Sequence, residues 1–132
     1  MTAKDAEGKK PRKKLLIVDE NEALRAAIRR SFERDLEVFE AESEKQALEV
    51  YERERPDAVI LEPEYEGALS WNFLQEIRVR DKTVIIILLT LADISSEDPH
   101  LKLADGTFRK PCGPEPLKNL LIRKGLLNMQ SP

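Results

Sequence analysis

The stretch Asp57-Ala58-Val59-Ile60-Leu61-Glu62-Pro63 decides the fold, because it has the pattern of a short buried strand that ends at a carboxylate. Its four consecutive apolar residues are typical of a parallel strand that is covered on both faces. Pro63 has no backbone N–H for a sheet and holds Glu62 extended, so the strand must end there. An acid at the carboxyl end of a central strand is where open α/β sheets place their chemistry.

The composition indicates one globular domain. The chain has 132 residues, of which 41% are hydrophobic, and this is enough for a single core. The longest apolar run, residues 84–89, is far shorter than the roughly 18 residues of a membrane span, and the basic N-terminus lacks the apolar part of a signal peptide. One cysteine excludes an internal disulfide, so we expect a cytoplasmic protein.

The charge is unevenly distributed along the chain. Residues 1–14 carry a net charge of +4, whereas residues 15–132 carry −7. We interpret residues 1–13 as a disordered basic tail, residues 14–127 as the folded domain, and residues 128–132 as a C-terminal tail or the start of a linker. DNA binding through residues 9–14 is an alternative, but no element that could enter a groove follows them and the body is acidic. Nucleic-acid binding is therefore not expected of this domain.

Strand-like and helix-like segments alternate five times along the folded part. The predicted strands are 14–18, 36–41, 57–62, 83–89 and 107–109. The predicted helices are 22–34, 44–54, 71–80, a short or frayed one within 91–105, and 115–124. Asn21, Ser43 (in a capping box with Gln46) and Ser70 are the expected N-caps. Such βα units require a parallel sheet with helices on both faces and right-handed crossovers.

Polar residues stand at the ends of these strands. They are Asp19, Glu20, Glu62, Thr90 and Lys110. If the strand order is 2-1-3-4-5, strands one and three are neighbours and the three carboxylates crowd together. They cannot all ionise close together without a cation. Two cations remain open, the ammonium group of Lys110 and a divalent metal such as Mg²⁺, which prefers hard oxygen ligands.

With these motifs in order, residues 14–127 resemble a response-regulator receiver domain of the CheY-like kind. The matching motifs are Leu16-Ile17-Val18-Asp19-Glu20, Pro56-Asp57-Ala58-Val59-Ile60-Leu61, Leu88-Leu89-Thr90 and Phe108-Arg109-Lys110-Pro111. The resemblance implies an α/β, flavodoxin-like (βα)5 three-layer sandwich with a parallel sheet of order 2-1-3-4-5. It also implies a Lys-Pro peptide bond that is commonly cis. Family function would be Mg²⁺-dependent acceptance of a phosphoryl group from a histidine kinase.

The resemblance also assigns expected roles to single residues. Glu62 stands at the phosphoacceptor position, Asp19 and Glu20 with the backbone of Glu64 form the acidic or metal pocket, Thr90 and Thr107 are switch positions, and Lys110 is the family's lysine. No residue is assigned as catalytic, and we expect no enzyme activity. The implied partners are proteins, namely a histidine kinase, a downstream effector or a second copy of the chain.

The chain departs from the family pattern at the acceptor itself. Glu62 replaces the usual Asp, and its carboxylate reaches about 1.5 Å further from the strand. Pro63 removes one N–H that could cradle a phosphoryl group, and Glu64 and Glu66 would repel it. We therefore hypothesise that Glu62 pairs with Lys110, accepts from Thr90 and permanently supplies part of the charge that phosphorylation would add, so that the domain does not switch by phosphotransfer.

Under this hypothesis no cofactor is required and Mg²⁺ binds weakly if it binds. The alternative is a working Mg²⁺-dependent phosphoacceptor, of a response regulator that could be transcriptional, which uses Glu62 or Asp19. The usual output face is also expected to be remodelled, by the short 95–105 segment and by Thr107, which stands where the family often has Tyr or Phe.

Overall fold

The computed structural model describes residues 12–128 and confirms the predicted α/β fold. In chain order the elements are β1 (Lys14–Val18), α1 (Glu22–Phe32), β2 (Glu37–Ala41), α2 (Glu44–Glu54), β3 (Ala58–Leu61), β4 (Glu64–Tyr65), β5 (Ala68–Leu69), α3 (Asn72–Arg80), β6 (Ile85–Thr90), a 3-10 helix (Pro99–Leu103), β7 (Gly106–Arg109) and α4 (Pro114–Arg123). Five parallel strands form one sheet in the order β2-β1-β3-β6-β7, which is the predicted order once the small β4-β5 hairpin is set aside. Within the described residues, no helix is both long enough and apolar enough to cross a bilayer.

The central strand β3 is apolar at every position because it is covered on both faces. In β3, Ala58 and Ile60 join the cluster that includes residues of α1 and α4, whereas Val59 and Leu61 join the cluster that includes residues of α2 and α3. Each of these four residues is at most 2% exposed. The continuous apolar run therefore reports two cores, one on each side of the sheet.

The first two helices begin as predicted. The Asn21 side chain accepts from the Leu24 N–H at 3.0 Å, and the Ser43 hydroxyl accepts from the Gln46 N–H at 3.1 Å. The returning bond of the capping box differs from the standard form, because the Gln46 side chain accepts from the Glu42 N–H at 2.7 Å. Both helix starts thus have side-chain acceptors for N–H groups that the helix leaves unpaired.

The predicted cap of α3 is wrong. The helix begins at Asn72, and the Ser70 hydroxyl donates to Glu44 of α2 at 2.6 Å instead of accepting from the first turn. The other oxygen of Glu44 accepts from the Phe73 N–H at 3.0 Å. A carboxylate from the neighbouring helix therefore does the capping, and its negative charge suits the positive end of the helix dipole.

The loop between β3 and α3 contains an antiparallel hairpin that the sequence analysis did not predict. Strands β4 and β5 pair Glu64 with Leu69 and Tyr65 with Ala68. The intervening Glu66 and Gly67 both have positive φ, 52° and 83°. Positive φ at both central residues is typical of the type I′ turn, which matches the natural twist of a two-stranded ribbon.

The helix between β6 and β7 is short, as predicted. We call residues 91–105 the connecting segment; its regular structure is the five-residue 3-10 helix Pro99–Leu103. The Lys110–Pro111 peptide bond that follows β7 is cis, as the resemblance implies. Most of the predicted basic tail and residues 129–132 lie outside the described residues.

Candidate functional site

Three charged side chains meet at the carboxyl edge of the sheet. Asp19 follows β1, Glu62 follows β3 and Lys110 follows β7. The Lys110 Nζ lies 2.6 Å from Asp19 Oδ2 and 2.8 Å from Glu62 Oε1. Their side chains are 11% (Lys110), 6% (Asp19) and 5% (Glu62) exposed. We call this group the charge cluster, and it supplies the cation that two adjacent carboxylates need.

The charge cluster holds Lys110 in its protonated form. Burial alone would lower the pKa of the amine, since it disfavours the charged state. Hydrogen bonds and Coulombic attraction from Asp19 and Glu62 outweigh burial and raise the pKa of Lys110 above its ordinary value. The amine is therefore a permanent cation between the two carboxylates at neutral pH.

Both oxygens of Glu62 accept hydrogen bonds from the backbone. Oε2 accepts from the Glu64 N–H at 3.0 Å, and Oε1 accepts from the Leu91 N–H at 3.1 Å as well as from Lys110. Pro63 has no N–H, so the next residue along the chain provides the donor. Glu62 thus accepts hydrogen bonds from the Lys110 amine and from two backbone N–H groups, at the carboxyl ends of three strands.

Asp19 is held in a similar way. Its Oδ1 accepts from the Asn21 N–H at 2.9 Å, and Oδ2 accepts from Lys110. Its backbone carbonyl accepts from Arg25 at 2.6 Å, and Arg25 also donates to Glu40 of β2 at 2.9 Å. Sequence reasoning missed Arg25 and the Leu91 N–H. A signal for Arg25 exists, because it lies one helical turn after the cap Asn21. A backbone donor such as the Leu91 N–H leaves no signal in the sequence.

The third predicted carboxylate does not join the charge cluster. Glu20 is exposed, and its carboxylate accepts from the Glu66 N–H at 3.4 Å, at the tip of the hairpin. The crowding of three acids is therefore wrong for Glu20 and holds for Asp19 and Glu62. The Glu64 N–H donates to Glu62, and the expected role of the Glu64 backbone in a metal pocket stays a prediction.

The two threonines lie at different depths. Thr90 is 2% exposed, and its hydroxyl accepts from the Ala92 N–H at 2.9 Å. Among the described residues, the side chains of Thr90 and Glu62 do not form the expected hydrogen bond with each other. Thr107 is exposed in β7, in register with Leu88. Their switch roles remain predictions.

The donor set around Glu62 does not fit Mg²⁺ in this arrangement. Between residues 12 and 128, no three His, Cys, Asp or Glu side chains are grouped so that they could hold a metal ion. Octahedral Mg²⁺ needs oxygen ligands at about 2.0–2.1 Å. Here the carboxylate oxygens of Asp19 and Glu62 face an ammonium group and backbone N–H groups.

Comparison with known proteins identifies the family. The family model of the response regulator receiver domain matches residues 15–122. The chain belongs to this family. Receiver domains are regulatory modules of two-component signal transduction, and this receiver has its Glu62, Asp19 and Lys110 at the edge of the sheet where the charge cluster lies.

Relatives and solved structures agree with this membership. The chain is 32% identical over 116 residues to the probable transcriptional regulator ycf27 of Porphyridium aerugineum, covering 81% of the chain and 45% of that protein. It is 31% identical over 78 residues to sporulation initiation phosphotransferase F of Bacillus subtilis, covering 58% of the chain and 63% of that protein. The chain therefore spans about half to two thirds of the length of these curated relatives. The structure of the response regulator TrrA of Thermotoga maritima with Mg²⁺ and BeF superposes with a TM-score of 0.76 at 28% identity, covering 85% of the chain and 98% of TrrA.

Proposed function

We propose that this receiver domain signals through protein contacts without accepting a phosphoryl group, and that Glu62 permanently supplies part of the charge that phosphorylation would otherwise add. One observation carries the proposal. The buried Glu62 carboxylate already accepts from Lys110, from the Leu91 N–H and from the Glu64 N–H. A group of donors that could stabilise a phosphoryl group is thus engaged by a side chain of the domain.

The charge of the cluster supports the same conclusion. Two carboxylates and one ammonium group sum to a net charge of −1. An acyl phosphate on Glu62 would carry about −1.5 to −2 in place of the −1 of the free carboxylate, so the site would become more negative by about 0.5 to 1 charge. Among the salt bridges of the described residues, those of Asp19 and Glu62 involve Lys110 as the cation. Phosphorylation of Glu62 would therefore increase an uncompensated negative charge in a buried site, which is unfavourable.

A phosphotransfer assay tests the proposal. The full chain is incubated with acetyl phosphate and Mg²⁺, and its intact mass is measured. We expect no increment for the wild type, and a stoichiometric phosphoryl increment would refute the proposal. Glu62→Asp is the matched variant, because it keeps the charge and withdraws the carboxylate by one methylene. A phosphoryl increment in this variant alone would assign the block to the length of Glu62.

The alternative is a working Mg²⁺-dependent phosphoacceptor. It is favoured by the position of Asp19, Thr90 and Lys110 at the same edge of the sheet. It also draws on TrrA, whose structure contains Mg²⁺ and BeF. Saturable binding of Mg²⁺ in the micromolar to millimolar range, lost in Asp19→Asn, would support this alternative, and indifference to Mg²⁺ would support the first proposal.

The partners that we propose are proteins. TrrA has been crystallised with the histidine kinase ThkA, and the ycf27 relatives are longer proteins that are named as probable transcriptional regulators. By analogy, a histidine kinase or a downstream effector is the partner class for this domain, and self-association is a further candidate. Light scattering of the purified chain distinguishes a monomer from a dimer before partners are sought.

A further inference from the structure

The connecting segment packs its apolar residues on the core beside α3, and two polar or aromatic contacts also attach it to α3 and to Trp71, the residue before that helix. The first is Arg78, whose Nε donates to the Leu103 carbonyl at 2.8 Å and whose Nη2 donates to Asp105 at 3.0 Å. The Arg78 side chain is 13% exposed. A guanidinium group stays protonated at every physiological pH. The charge of this attachment therefore does not change with pH.

The second attachment is a stack of two aromatic rings. The rings of Trp71 and His100 stack with their centroids 4.8 Å apart and their planes 9° apart. Asp98 accepts from the His100 N–H at 2.8 Å, and the same oxygen lies 2.7 Å from His100 Nδ1. The His100 side chain is 29% exposed, so it is packed and yet reachable by protons. These are the one histidine and the one tryptophan of the chain.

We propose that Trp71, His100 and Asp98 form a proton-controlled clasp that sets how tightly the connecting segment lies on α3. Imidazole is the side chain that ordinarily gains or loses its charge between about pH 5 and pH 8. Protonation turns the contact between Nδ1 and Asp98 into a charge-assisted hydrogen bond and places a cation against the indole face. Both changes tighten the clasp below neutral pH.

The groups that face His100 support this direction. Its own segment presents Asp98, and the residue before α3 presents the uncharged indole of Trp71. Hydrogen bonds from the backbone N–H and the ring of His100 lower the pKa of Asp98, so its carboxylate stays ionised across the range in which imidazole titrates. The cation further along α3, Arg78, is paired with Asp105.

The position of the segment gives the clasp its consequence. The segment begins at Leu91, whose N–H binds Glu62, and it leads into β7 and Lys110. A change in how the segment is held therefore acts on the stretch that joins two parts of the charge cluster. The clasp is independent of whether Glu62 accepts a phosphoryl group, so the two proposals can fail separately.

Hydrogen exchange and tryptophan fluorescence of the full chain test the clasp. The Leu101 and Ala104 amides, which donate within the segment at 3.1 and 3.2 Å, report its local opening. After correction for intrinsic exchange, we expect their protection to be about two- to fivefold higher at about pH 5.5 than at about pH 8, as a cation against a partly exposed indole would give. Trp71 fluorescence should change over the same interval.

Two variants decide the outcome. His100→Gln should abolish the pH dependence of both signals, and Asp98→Asn should keep the N-cap while reducing their amplitude. Should His100→Gln fail to fold, Asp98→Asn alone is decisive. Equal protection at both pH values in the wild type, higher protection at the alkaline value, or an unchanged response in the folded variants would overturn the proposal.

Discussion

Replacing Lys110 by Met tests whether the charge cluster is a buried ion network or a solvated group of polar side chains. The change removes the ammonium group that lies 2.6 Å from Asp19 and 2.8 Å from Glu62, while the stem keeps its volume. Breaking a buried ion pair by removing one partner costs about 3–5 kcal/mol. Backbone N–H groups still donate to both carboxylates, so we expect the lower end, about 3 kcal/mol.

Urea denaturation measures this cost. For a slope of about 1.5 kcal/mol per molar, the midpoint should fall by about 2 M at neutral pH. Lys82→Met is the matched control, because Lys82 is exposed, and it should change stability by less than about 0.5 kcal/mol. Adding Glu62→Gln to Lys110→Met should recover about 1 kcal/mol or more, since one uncompensated charge is gone. A loss below about 1 kcal/mol for Lys110→Met, which is the size of a surface ion pair, would refute the reasoning.

Four further predictions follow from named contacts. Because the pKa of Lys110 is raised in the folded state, its stabilisation is complete below about pH 10.4 and is lost as pH rises through the folded pKa; thermal unfolding should show this alkaline loss, and Lys110→Met should not. Arg78→Met leaves several acceptors without their donor and should cost about 3 kcal/mol in urea denaturation, against less than about 1 kcal/mol for Arg53→Met on the surface. Glu44→Ala removes the acceptor of the first turn of α3 and should cost about 1–2 kcal/mol, with Glu44→Gln intermediate. Gly67→Ala meets no atom within 4 Å, so its cost of about 1 kcal/mol would come from the positive φ alone, and a neutral result would contradict the observed turn.

The sheet could be predicted because its information is local and redundant. A half-exposed strand alternates apolar and polar residues, whereas β1, β3 and β6 each contain a continuous apolar run. Turn or capping residues separate these runs. The parallel sheet followed from the alternation of βα units, and the order of its strands followed from the resemblance. The proximity of Asp19 and Glu62 then followed from that order, whereas Lys110 was one of two cations that the sequence left open.

The features that the sequence did not predict depend on contacts between distant parts of the chain. Serine is a good N-cap residue, so the sequence predicts Ser70 as the cap of α3. In the structure the Glu44 carboxylate accepts hydrogen bonds from both the Ser70 hydroxyl and the Phe73 N–H. The hairpin escaped prediction because Glu66 is a poor residue for positive φ, so the usual Asn-Gly or Asp-Gly signal is absent. The stack of Trp71 on His100 joins residues from two elements, and no spacing in the sequence predicts it.

The position of Glu62 restricts where regulation of this domain can act. A ligand shifts a conformational equilibrium only as far as its affinities for the two states differ. Suppose that Glu62 keeps its bonds to the Lys110 amine and to the N–H groups of Leu91 and Glu64 in both states. Phosphate then has equal affinity for the two states and does not shift the equilibrium. An input must then change contacts that lie outside the charge cluster and are weaker than it. The connecting segment fits this requirement, because it is bonded to the cluster at Leu91 and ends where β7 leads to Lys110, while the stack of His100 on Trp71 also holds it. Protonation is therefore expected to change the exchange of the segment's amides, whereas phosphate is expected to leave it unchanged, and exchange measured with each separates the two inputs.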